Sequence, residues 1–191
     1  ELQVGEAAAL GHLNQRAGRA GRTEPGIAVR LWREEQHKAL PAFATSQILA
    51  SDLSAMVLDC ISWGVSDPRR LRFIDPPPDP SIEEARNLLC ELGALGDDGR
   101  PTERGDRMRA LALPPRLAAM VVAGRESGSG LAAAELAVLL TEQGLGGTNV
   151  DLDARWQRFR NEKSPRAKAA RALAERLAGT RNRSTEPVTP A

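Results

Sequence analysis

The sequence predicts a mainly α-helical chain with a small β contribution, and three observations carry that expectation. Apolar residues recur at spacings of three and four, as in Leu53, Met56, Val57, Cys60 and Ile61, and again in Ala85, Leu88, Leu89 and Leu92. Helix-start chemistry precedes such runs. One short stretch, Gly26 to Trp32, instead carries β-favouring residues behind Glu24-Pro25 and predicts a strand. Of 191 residues, 41% are hydrophobic and 27% charged, which excludes a collagen-like or wholly disordered chain. No run reaches the ~20 apolar residues of a membrane span, and nothing near Glu1 reads as a secretory signal. The expected setting is the cytoplasm, with no membrane partner.

Taken in order, residues 1–44 hold the predicted strand but no second segment to pair with it. They therefore read as the end of a larger sheet-containing domain. Residues 45–113 open with the helix around Leu53–Ile61, followed by an Asp67-Pro68 cap. Pro76, Pro77, Pro78 and Pro80 predict an extended, rigid spacer that stops any helix. Ser81 with Glu84 forms a capping box for the next helix, and Leu95 to Thr102, centred on Gly96-Asp97-Asp98-Gly99, has the turn chemistry of a small hairpin. Thr102 caps a further helix. Helix, helix and hairpin is the order of a winged helix. After Pro114-Pro115, residues 114–179 predict a bundle of four helices: Leu117–Ala123, Leu131–Leu140, Leu152–Phe159 and Ala167–Leu177, the last behind a Ser164-Pro165 cap. Residues 180–191 lack apolar spacing and read as a disordered tail. Cys60 and Cys90 both sit among apolar residues at helical spacing, as buried structural thiols; no zinc-ligand spacing exists, so no metal site is expected.

Two segments carry chemistry. Gln15-Arg16-Ala17-Gly18-Arg19-Ala20-Gly21-Arg22 places three arginines at intervals of three, separated only by Gly and Ala. Guanidinium forks match phosphate oxygens bidentately and stay charged, so the pattern suits a phosphate or nucleic-acid clamp, against the alternative of a solvated basic turn. The formal net charge is only +1, yet Arg155 to Arg183 holds ten Lys or Arg against Glu162 and Glu175. On helices, Arg155, Arg158, Arg160, Arg166, Lys168 and Arg171, with Trp156 and Phe159, could track a phosphate backbone. Alternatively, Leu152, Trp156 and Phe159 share one face and belong to the core. His12 and His37 lie far from any acid–nucleophile pair and are assigned structural or surface roles.

The run QRAGRAGR resembles motif VI of the DEAH-box helicases of superfamily 2, and Pro25 to Trp32 resembles the strand that closes their second RecA-like domain. Gln47-Ile-Leu-Ala-Ser-Asp-Leu53, Trp63-Gly64, Phe73-Ile-Asp-Pro-Pro77, Leu92-Gly-Ala-Leu95, Thr102-Glu-Arg-Gly105 and Leu113-Pro-Pro-Arg-Leu117 resemble later landmarks of that family, in its order. Arg30-Leu-Trp32 with Glu34-Glu35-Gln36-His37 and Leu40-Pro-Ala-Phe43 are most similar to the bacterial HrpB-type members. Only Glu1 to Asn14 departs, where the family has a serine- and alanine-rich lead. The resemblance implies residues 1–44 as the end of RecA-like domain 2, 45–113 as a winged-helix domain and 114–179 as a helical ratchet domain. It implies Gln15 placing the attacking water, Arg19 and Arg22 as arginine fingers on the γ-phosphate of ATP, and Arg16 packing or pairing within its domain. Implied cofactors are ATP and magnesium; implied partners are single-stranded nucleic acid, RNA first and DNA not excluded, and the rest of the helicase. The sequence holds no Gly-x-x-x-x-Gly-Lys-Ser/Thr and no Asp-Glu-x-His, so the chain alone is expected not to hydrolyse ATP. The rival expectation is a non-catalytic winged-helix nucleic-acid-binding module, which has no use for paired arginine fingers.

Overall fold

The computed structural model describes residues 10–42 and 46–179. The expected tail at 180–191 lies outside them. By its contacts the chain divides into two compact units, residues 1–51 and 52–191.

The first unit contains α1 (Leu10–Ala20), α2 (Glu34–Lys38) and α3 (Gln47–Ala50). The start of α1 is tied down by backbone bonds from Leu10 N–H to Pro41 O at 2.9 Å and from Gly11 N–H to Ala42 O at 3.0 Å. The strand expected at 26–32 does not form. Ile27, Val29 and Leu31 are 89%, 75% and 85% exposed, and no described segment lies alongside to complete a ladder. A strand needs a partner row of N–H and C=O groups, which β-favouring side chains cannot replace. What fixes the path here is Gly26, where a Cβ would stand 1.7 Å from Ala20 O, so the chain can fold back on the end of α1 only without a side chain.

The second unit contains α4 (Ser54–Ser62), a short 3₁₀ turn at Pro68–Arg70, α5 (Asp79–Glu91), α6 (Glu103–Arg109), α7 (Pro115–Glu126), α8 (Gly130–Thr141), α9 (Leu152–Asn161) and α10 (Pro165–Ala178). Among the described residues the β contribution shrinks to one antiparallel bridge, Leu95 with Pro101, closed by Gly96 N–H to Arg100 O at 2.9 Å. Three expected caps form. Asp67 accepts from Arg69 N–H at 3.1 Å, Thr102 Oγ1 from Gly105 N–H at 3.0 Å, and Ser164 Oγ from Ala167 N–H at 3.1 Å. The box at Ser81 and Glu84 does not, because α5 begins two residues earlier, at Asp79. Proline geometry suits the first helical turn, where a missing N–H leaves nothing unsatisfied, so Pro80 starts the helix rather than stopping it.

α4 packs on α5, α6 on α4 and α7, and α8 lies against both α7 and α10. The α8 layer is built from Ala133, Ala134, Ala137, Val138 and Leu139, and α10 answers with Ala167, Ala170, Ala174 and Ala178, all buried. Small side chains at these spacings let helices approach closely, and each large apolar chain enclosed between them contributes about 1.5–3 kcal/mol. Gly105 belongs to the same logic, since a Cβ there would lie 2.2 Å from Ala94 O. Cys60 is buried as expected, and burial pushes its thiol pKa up; Cys90 is exposed, because it lies on the outer side of α5 from Leu88 and Leu89. Both thiols are free.

Candidate functional site

The motif at 15–22 occupies the second half of α1 and the turn after it. Gln15 and Arg19 stand one turn apart on an exposed face, Arg22 follows beyond the helix end, and none of the three makes a hydrogen bond or ion pair among the described residues. Three polar groups without partners among the described residues can meet a ligand from outside. Gly18 faces open space, with nothing within 4 Å of where its Cβ would be. Arg16, expected to pack or pair, is exposed and makes no ion pair among the described residues; it lines a cleft of about 350 Å³ with Leu13, Arg30 and Trp32.

Sequence reasoning missed the far wall of that cleft. Arg30 Nη1 is 3.1 Å from His37 Nε2, Arg30 Nη2 donates to Asn14 Oδ1 at 3.4 Å, and Trp32 stacks on His37 with centroids 6.4 Å apart. His37 thus has the structural role expected of it, whereas the side chain of His12 lies outside the described residues. The spelling Arg-Leu-Trp and a lone histidine five residues on was the only available signal.

The basic residues of α9 and α10 separate into two groups. Arg155 donates to the carbonyls of Leu139 at 3.3 Å and Leu145 at 3.4 Å, and Arg171 donates to Phe159 O at 2.7 Å while covering the Phe159 ring at 5.7 Å. These two guanidiniums fasten the bundle. Arg166 reaches Gln143 O at 2.6 Å and Glu142 at 3.5 Å from an exposed position. Arg158, Lys163 and Lys168 are exposed and make no ion pair among the described residues. Phe159 is fully buried, as the core alternative has it, but Leu152 is exposed and Trp156 only half-buried.

Trp156 leads to a group that the sequence reading did not single out. Its Nε1–H donates to Glu135 Oε2 at 2.9 Å, and Arg160 Nε lies 3.5 Å from the same oxygen, with its guanidinium 5.3 Å from the indole centroid. Glu135 is buried within α8. The signal was its standing as the single charged residue in the run Leu131–Thr141.

Elsewhere, a mostly apolar cleft of about 430 Å³ between α4, α6 and α7 has Asp52, Asp59 and Arg109 on its wall and none of the sequence-predicted residues. Among the described residues no cluster of His, Cys, Asp or Glu is arranged to hold a metal, and no helix is long and apolar enough to cross a membrane.

Comparison with known proteins gives this geometry its setting. The chain is 42% identical over 130 residues to the ATP-dependent RNA helicase HrpB of Escherichia coli K12, a match covering 68% of this chain and 16% of the relative. To the ATP-dependent RNA helicase HrpA of the same organism it is 33% identical over 120 residues, 60% of this chain and 9% of the relative. The chain therefore spans about a sixth or less of the length of these relatives. Of solved structures, the E. coli DEAH/RHA helicase HrpB matches with a TM-score of 0.73 at 34% identity, over 91% of this chain and 22% of that one. A second, titled E. coli DExH-box NTPase HrpB, matches with a TM-score of 0.65 at 34% identity, over 90% of this chain and 20% of that one. No family model matches the chain. By sequence and by structure, this chain is a homologue of one segment of the HrpB-type DEAH-box ATP-dependent RNA helicases.

Proposed function

We propose that the chain is a segment of an ATP-dependent RNA helicase, combining an arginine-finger motif at 15–22 with a basic path for single-stranded RNA along α9 and α10. On this reading residues 1–44 end a RecA-like domain, 45–113 are a winged-helix domain and 114–179 a helical ratchet domain. The observation that carries it is the set Gln15, Arg19 and Arg22, exposed and without partners among the described residues, in a chain whose relatives are named ATP-dependent RNA helicases.

ATP, held with magnesium by the remainder of the helicase, supplies the phosphoanhydride to be broken. Arg19 and Arg22 offer guanidiniums to the charge that spreads over its γ-phosphate, and Gln15 orients the attacking water. This sequence holds neither a glycine-rich phosphate cradle nor an Asp-Glu-x-His, so the chain alone turns over no ATP. Its own contribution to substrate is the uncompensated charge of Arg158, Lys163 and Lys168, which gives sequence-independent, salt-sensitive attraction to phosphates.

The test is a salt titration of the 191-residue chain with labelled single-stranded RNA. Log affinity should fall against log salt by ~0.7 for each phosphate neutralised. The triple variant Arg158→Gln, Lys163→Gln and Lys168→Gln should flatten that slope by about 2 with little change in Tm, since exposed charges contribute little to folding. Arg155 and Arg171 are left intact because their guanidiniums hold carbonyls of the bundle. An unchanged slope rejects the basic path.

A further inference from the structure

Resting on the nucleic-acid reading above, we infer that Glu135, Trp156 and Arg160 form a base-reading cleft that accepts a nucleobase bearing an exocyclic amine, with cytosine favoured over uracil.

The cleft holds about 230 Å³, room for several waters at ~30 Å³ each, and is walled by Ser129, Leu131, Ala132, Glu135, Trp156 and Arg160. Glu135 is only 6% exposed, yet it lines this open space. A buried carboxylate needs donors, and two of them, the Trp156 indole N–H and Arg160, converge on Oε2. Oε1 makes no hydrogen bond among the described residues. The carboxylate is therefore held in one orientation, with one acceptor left for whatever enters.

Charge selects the kind of group that enters. Arg160 is matched by Glu135 at 3.5 Å, so the cleft has no net charge to attract a phosphate, unlike the uncompensated Arg158 one turn away from Ala154 on the same helix. Shape selects further. The Arg160 guanidinium lies over the Trp156 ring at 5.3 Å, and its outer face is the kind of planar cation on which unstacked bases settle. A base stacked there and pointing its edge at Glu135 must donate a hydrogen bond. Cytosine N4–H₂ does so, and carboxylates read cytosine in this way; the one donor on the matching edge of uracil, N3–H, is flanked by O2 and O4, which the carboxylate repels.

Cytosine and uracil have nearly the same ring and differ in the donors and acceptors at positions 3 and 4, so the pair separates edge hydrogen bonding from stacking. Fluorescence anisotropy of the 191-residue chain with labelled oligo(C) and oligo(U) of equal length should show oligo(C) bound about five- to tenfold more tightly. Glu135→Gln provides the sharper reading. Trp156 and Arg160 require an oxygen where Oε2 stands, which forces the amide nitrogen into the free position and should turn the preference toward oligo(U). Trp156→Phe keeps the ring but loses the N–H that orients the carboxylate, and should narrow the preference; it carries the test if Glu135→Gln lowers Tm.

Equal affinity for the two oligomers with the salt dependence intact overturns the base reading and leaves the basic path standing. No binding to either overturns both. A preference for oligo(C) that survives unchanged in both variants also overturns it. So does a blocked arginine amide that quenches tryptophan fluorescence in the chain but not in Trp156→Phe, while the two RNAs bind alike, which would make the cleft a receptor for a protein guanidinium.

Discussion

Residues 10–51 and residues 52–179 are folded on different terms. In the second unit, helices bury their own apolar faces, and every buried apolar side chain among the described residues stands at Leu53 or beyond. In the first unit, Ile27, Val29 and Leu31 stand in the open, and the path is held by a few backbone bonds, one glycine contact and the Trp32–His37 stack. The most recognisable chemistry of the sequence thus lies in the part with the least core of its own. The arginine motif and the apolar core are separated along the chain: substitutions at Arg19 or Arg22 should change ATP turnover without unfolding, whereas substitutions of the buried apolar residues of α8 should unfold the chain.

The largest expected effect belongs to the first unit. In a complete helicase carrying these residues, Arg19→Ala and Arg22→Ala should each lower ATP turnover by something on the order of 10³, with unchanged circular dichroism, because a finger acts on transition-state charge. Near-normal turnover in both variants would remove the motif assignment. Next comes one substitution made twice. Leu139→Ala, at a side chain 1% exposed, should cost about 2–5 kcal/mol in denaturant unfolding, while Leu31→Ala, at one 85% exposed, should stay within about 0.5 kcal/mol. Equal costs would erase the contrast between the units.

Thr102→Ala should cost about 1 kcal/mol by leaving the Gly105 N–H without its cap, read as a lower midpoint at unchanged m-value. The smallest effect concerns Asp67, whose carboxyl is held below the usual aspartate range chiefly by the hydrogen bond from the Arg69 side chain. A depressed folded pKa adds stability that is present above the unfolded value and lost as pH falls through the folded one. Asp67→Asn should therefore lower Tm slightly at neutral pH and not at all once the pH lies below the ordinary aspartate range. A difference that persists there would point to the backbone cap at Arg69 N–H rather than to charge.

Much of the second unit was legible because its signals are local. The spacing of Val57, Cys60 and Ile61, the caps at Thr102 and Ser164, and the alanine register of α10 depend on neighbours within a few residues. Where two local signals competed, the sequence misled. Ser81 and Glu84 spell a cap, yet Pro80 fits the first helical turn and carried the start of α5 back to Asp79. Cys90 follows Leu88 and Leu89 but falls on the outer side of the helix, an orientation that only packing reveals. The strand at 26–32 failed for a related reason: side-chain preference can favour an extended path, but a ladder is made by a second chain segment.

The candidate sites divide along the same line. The motif from Gln15 to Arg22 could be singled out directly, since residue type and order alone set three arginines at intervals of three among Gly and Ala, and the family resemblance rests on that order. Glu135 could not be assigned a role in this way. A single acid among the apolar residues of α8 is only an anomaly until α9 brings the Trp156 N–H and Arg160 onto one of its oxygens, from 21 and 25 positions further along the chain. Likewise, ten basic residues make a charge run, but which arginines are spent on carbonyls of the bundle and which remain free was decided by tertiary packing. Composition and order determine which charges the chain owns. Where each is neutralised depends on which distant backbone groups and acids the fold leaves in need of a partner.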